Sequence, residues 1–154
     1  MVLGIRKYGD PVLETECAKV TNFGSKELKT LVFDMFETMY ANKGVGLAAP
    51  QVGVLQQVTV IDTSAGEVEE DRVVLINPEI VEREGQQLGE EGCLSIPGFR
   101  EDVRRAMTVK VKAFDVDGNP FEISGEELLS RAMQHEIDHL HGILLNSREF
   151  AFQH

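Results

Sequence analysis

The chain has 154 residues, a net charge of −11, 42% apolar residues and two cysteines. That length builds one domain with a real core, so a single domain over 1–154 is expected. The acidic balance excludes nonspecific nucleic-acid binding, which needs a basic face. No apolar run reaches the ~18 residues of a membrane span, and two cysteines exclude a disulfide scaffold.

The opening, "MVLGIRKYGDPVLETE", has no long apolar stretch and turns acidic early. It reads as neither a signal peptide nor a transit peptide, so a cytoplasmic protein is expected. The segment "SKELKTLVFDMFETMYANKG" predicts a helix. Leu28, Leu31, Val32, Met35, Phe36 and Met39 recur at spacings of three and four and form one apolar stripe. Ser25 is placed to cap it, and Gly44 lies just past its end. "GVGLAAPQVG" then breaks the periodicity with glycine and proline.

"QQVTVID" and "RVVLINP" predict strands around an acidic loop, "GEVEED" (66–71). "EIVEREGQQLGEEG" reads as strand, turn and loop. In "MTVKVKAFDVDGNPFEIS", Val109, Val111 and Ala113 alternate with Lys110 and Lys112. Asp117-Gly118 makes a hairpin turn, and Phe121 and Ile123 continue the return strand. Ser124 and Glu127 have the spacing of a capping box for a second helix from about Gly125 to His141, with Gly142 at its C′ position. Strands around two helices without βαβ alternation indicate the α+β class.

That second helix carries "HEIDHLHG". His135 and His139 are one turn apart and share a face with Leu128 and Ala132, so the face is expected to point inward. Glu136 completes the HExxH pattern, in which two imidazoles hold a metal and a carboxylate stands beside the water it activates. A metzincin would place a third histidine where this chain has Leu145. A thermolysin-like enzyme would take an acid well downstream, where the only one is Glu149. His141 lies off the face and suits the helix C-terminus.

The third ligand therefore comes from upstream, and the soft candidates are Cys17 and Cys93. Cys17 sits in a plain polar stretch and reads as a structural thiol. Cys93 lies in "GEEGCLSIPG", where flanking glycines permit a tight approach to a metal. One thiolate and two imidazoles leave a tetrahedral position open, as a catalytic site requires. The rival readings are a metallopeptidase, which lacks its downstream ligand, and a closed structural metal site, which lacks a fourth.

"GVGLAAPQ" (44–51), "EGCLS" (91–95) and "HEIDH" (135–139) resemble, in order and spacing, the three motifs of the peptide deformylases. "YGDPVL" and "LINPEI" are similar to that family too. The resemblance implies an α+β fold in which antiparallel or mixed sheets surround the HExxH helix. It implies hydrolysis of the formyl group from N-terminal formylmethionine of new polypeptides, with one divalent metal, Fe²⁺ natively, and Zn²⁺, Ni²⁺ or Co²⁺ as substitutes. Glu136 is expected as general base, with the Gln51 side-chain amide and the Leu94 backbone N–H as oxyanion donors. Val45 and Gly46 are expected to offer main-chain hydrogen bonds to a peptide lying as an added strand. Val45, Leu128 and His135 would wall the methionine pocket, and Arg100 would stand near its mouth. Arg131 occupies a place often apolar in the family, so it alters that side of the pocket. The ending "GILLNSREFAFQH" is short and not basic, so ribosome docking through a basic C-terminal helix is not expected.

Overall fold

A computed structural model of the chain describes residues 1–144. The readings placed on Leu145, Glu149 and the tail lie outside those residues. The first helix, α1, spans Lys26–Ala41. Ser25 Oγ accepts from the Leu28 N–H at 3.1 Å, as its cap position predicts. The stripe of Leu28, Val32, Met35, Phe36 and Met39 is buried. Lys43 takes the left-handed conformation (φ 58°) and turns the chain after the helix.

Seven strands follow: β1 (Gly46–Ala48), β2 (Val58–Asp62), β3 (Arg72–Glu84), β4 (Gln87–Cys93), β5 (Ile96–Arg105), β6 (Thr108–Phe114) and β7 (Pro120–Glu126). The last described helix, α2, spans Glu127–Leu140. An antiparallel sheet has the order β1-β2-β3-β6-β7, and β4 and β5 form a separate two-stranded sheet among the described residues. Successive side chains of a strand point to opposite faces, and here each face has its own helix. Val58, Val60 and Ile76 join the α1 stripe in one core cluster. Ile61, Leu75, Val109, Val111 and Ala113 join Ala132, Met133 and Ile137 of α2 in another. All five residues of β2 are buried, as expected of a strand covered on both faces.

Two sequence expectations change. The Ser124–Glu127 capping box does not form: Ser124 lies inside β7 opposite Lys110, and Glu126 is the N-cap without a side-chain hydrogen bond. Strand pairing continues to Thr108↔Glu126 and overrides the local signal. A side-chain carbon at Gly125 would lie 2.6 Å from Met133 Cε, so this glycine lets the strand end pass close beneath α2. "GQQLGEEG" is not a loop; most of it forms β4. The partner strand β5 carries no clear alternation, since Pro97, Gly98 and five charged residues interrupt it. The hairpin turn stands as read, with Gly118 at φ 88° and the Gly118 N–H bonded to the Asp115 carbonyl.

Candidate metal centre

The inward face of α2 presents His135 and His139, as HExxH spacing on a helix requires. Cys93 reaches them from the end of β4, where the register shifts between Gly92 and Cys93 and the chain turns tightly into β5. One ligand atom from each of Cys93, His135 and His139 lies within 4.8 Å of the others. The two Nε2 atoms are 3.3 Å apart, and Cys93 Sγ is 3.4 Å from His139 Nε2. Tetrahedral coordination with bonds of ~2.0–2.3 Å has edges of roughly 3.3–3.6 Å, so these separations fit a single bound cation. Burial lowers the affinity of His135 for a proton, but Glu136, Cys93 and Glu91 together outweigh it and raise its pKa to about 10. The surroundings of that imidazole thus favour positive charge. Burial, with His135 adding to it, pushes His139 down to about 3 and keeps its ring neutral for ligation.

Glu136, next to His135 on α2, is buried. A side-chain carbon at Gly46 would lie 2.5 Å from Glu136 Oε2, so β1 needs glycine there to seat the carboxylate. Burial pushes the Glu136 carboxyl up to about 7. Among the described residues its Oε1 has no hydrogen-bond partner and is free to take a proton. Gly46→Ala is expected to lower kcat/KM for a formylated dipeptide about 100-fold, the usual cost of displacing a reacting group by ~1 Å. Steady-state kinetics with metal content measured alongside check this, and activity within threefold of the parent would refute it.

Gln51 sits in a short 3-10 turn, Ala49–Val52, directly after β1. Its Oε1 accepts from the Ala48 N–H at 3.0 Å, which aims Nε2 at Ser95 Oγ (3.2 Å) and Cys93 Sγ (3.7 Å). Leu94 occupies the turn after Cys93, and its side chain packs over Gly44. Both line a cleft of about 570 Å³ together with Val45, Gly46, Arg100 and Leu128. Leu128 is 48% exposed, so it stands near the opening rather than in the core. β1 is one of the two edge strands of its sheet, and its open edge borders the cleft. The Asp62 N–H donates to the Val45 carbonyl at 2.8 Å, and antiparallel alternation turns the polar groups of Gly46 outward. Of these two carbonyls, only that of Gly46 faces the open edge.

Three further charged residues support this group: Glu91, which the motif contains without an expected role, and Arg105 and Asp138, which the sequence does not single out. Glu91 and Cys93 are two apart on β4, so they share a face; that period-two spacing was the available signal. His135 Nδ1–H donates to Glu91 Oε1 at 3.0 Å, leaving Nε2 for the metal. Arg105 grips both oxygens of Glu91 at 2.9 Å and reaches Asp138 at 2.8 Å. Burial raises the Glu91 carboxyl, yet the hydrogen bonds from Arg105 and His135 prevail and hold it well below the usual carboxylate range. Arg131 is neutralised in the same network, at 2.5 Å from Glu91 Oε2 and 3.0 Å from the Val103 carbonyl. It therefore shapes the cleft wall without presenting an unpaired charge.

Cys17 does not join the ligand group; it is buried against Ala48 and Leu140, and burial pushes its thiol up to about 11. His141 follows α2 and meets Glu16 at 2.7 Å, away from the ligands. No helix among the described residues is long and apolar enough to cross a membrane.

Comparison with known proteins agrees with this geometry. The family model described as polypeptide deformylase matches residues 2–149. A peptide deformylase from Acidobacterium capsulatum is 58% identical over 144 residues, 94% of this chain and 84% of that protein. One from Caldanaerobacter subterraneus is 53% identical over 148 residues, 96% of this chain and 89% of that protein. The crystal structure of a peptide deformylase from Legionella pneumophila superposes with a TM-score of 0.90 at 44% identity, covering 99% of this chain and 90% of that one. With matches of this extent spanning all three motifs and the sheets that carry them, the chain belongs to the polypeptide deformylase family.

Proposed function

We propose that Cys93, His135 and His139 hold one divalent metal ion, natively Fe²⁺, in a single catalytic domain, and that Glu136, Gln51 and Leu94 carry out the deformylase chemistry around it. The reaction itself follows from the family: the chain hydrolyses the N-formyl group from the N-terminus of new polypeptides. The observation that carries the assignment is the convergence of three ligand atoms within 4.8 Å beside a buried carboxyl oxygen that has no hydrogen-bond partner among the described residues.

When bound, the metal supplies a water of lowered pKa and polarises the formyl carbonyl. Glu136 takes a proton from the attacking water and passes it to the leaving amine. The Gln51 Nε2–H and the Leu94 backbone N–H receive the oxyanion; loss of one such donor costs roughly 2.7–4 kcal/mol of transition-state stabilisation. Gly46 pairs with the peptide main chain along the open edge of β1, with Val45 beside it. Leu128 and Val45 flank the methionine side chain, and Arg100 stands at the mouth. A cytoplasmic location suits this substrate.

Protein purified without oxygen is expected to contain about one iron per chain and to cleave formyl-Met-Ala but no unformylated peptide. Elemental analysis and a formate-release assay read this. Peroxide is expected to inactivate the iron form faster than a nickel form, because it oxidises an iron-bound thiolate readily. Equal decay of the two forms would remove the argument for iron, and cleavage of unformylated peptides would favour the metallopeptidase.

A further inference from the structure

The chain carries a net charge of −11, yet the rim of its cleft is cationic. Lys7, Lys43 and Arg100 line the opening, and among the described lining residues Glu90 is the one exposed carboxylate. Glu90 pairs with Arg100 at 2.6 Å, but both side chains are more than half exposed, so the pair is weak and screened. Lys7 Nζ lies 3.4 Å from the Leu94 carbonyl. Neither Lys7 nor Lys43 has a carboxylate partner among the described residues. The deeper charges of Glu91, Asp138, Arg105 and Arg131 offset one another.

The position of the rim gives it a partner within the substrate. The formyl group must lie at Cys93, His135 and His139, close to Gln51, which is tied to the Ala48 end of β1. A peptide added antiparallel to the open edge then runs back past Gly46 toward Lys43. Lys43 lies in the turn between α1 and β1 and lines the same cleft as Gly46. A flexible lysine there reaches the second or third residue beyond the methionine.

We propose that the rim selects formylated peptides with a carboxylate at the second or third residue after the methionine. Lys43 is the main specificity residue, and Glu90 tempers the selection. The inference rests on the deformylase reading of the same cleft.

The test uses formyl-Met-Ala-Xaa-Xaa-amide with Xaa as Glu, Gln or Lys. The readout is the Glu-to-Lys ratio of kcat/KM on the metal-loaded enzyme. Because the ratio is taken within one enzyme, partial misfolding cancels. It is expected to be about fivefold at low salt and to approach one at about 0.5 M salt, as screened charges require. Lys43→Glu should bring the ratio below one, and Glu90→Gln should raise it. A ratio within twofold of one at low salt, or one that Lys43→Glu leaves unmoved, overturns the proposal while turnover of the Gln peptide upholds the deformylase reading. Failure to deformylate any of the three peptides takes down both.

Discussion

Glu136→Gln is expected to lower kcat/KM for formyl-Met-Ala by about 10³–10⁴-fold, toward the upper end of what a positioned general base supplies. Glutamine preserves the shape that fits under Gly46, where no spare room exists. It removes the oxygen that can hold a proton and leaves Cys93, His135 and His139 untouched. Metal content by elemental analysis should therefore stay near one per chain. The substitution also removes a carboxyl whose ionisation burial opposes, so the thermal midpoint should hold or rise. Activity lost with metal and fold retained is the result that isolates proton transfer. Residual activity within tenfold of the parent would assign the proton to another group, and loss of metal would make Glu136 a structural support.

Much of this site is legible in sequence because its signals are local. His135, Glu136 and His139 lie within one helical turn, so spacing alone puts them together. α1 announces itself by its stripe and by Ser25. The charged support beneath the metal group is not local. Glu91, Arg105, Arg131 and Asp138 come from β4, β5 and α2, and no sequence spacing shows that they meet. The strands that deliver them were hidden for the same reason. β5 is held in place by Arg105 reaching two carboxylates and by Val103 packing with Leu13, rather than by an alternating pattern of its own. Ser124 errs in the opposite direction: a valid local cap signal loses to a sheet ladder that extends two residues past it.

Glu91→Gln is expected to destabilise the metal-free protein by about 3–5 kcal/mol, the cost of removing one member of a buried charged group. The Arg105 side chain is fully buried and that of Arg131 is 9% exposed. With Glu91 neutral, Arg131 loses its pairing with that carboxylate, while Arg105 keeps its bond to Asp138. Urea unfolding after metal removal reads this cost without a contribution from the cation. A second effect is separable: the Glu91 carboxylate holds His135 by its Nδ1–H, so its loss frees the ring to rotate. Chelator competition should show metal affinity reduced about 10–100-fold, the usual effect of losing such an orienting partner. If stability falls while affinity does not, the carboxylate serves only the two arginines. If affinity falls alone, the buried charges rearrange around Asp138. Both losses together are what a single carboxylate bonded at once to Arg105, Arg131 and His135 demands.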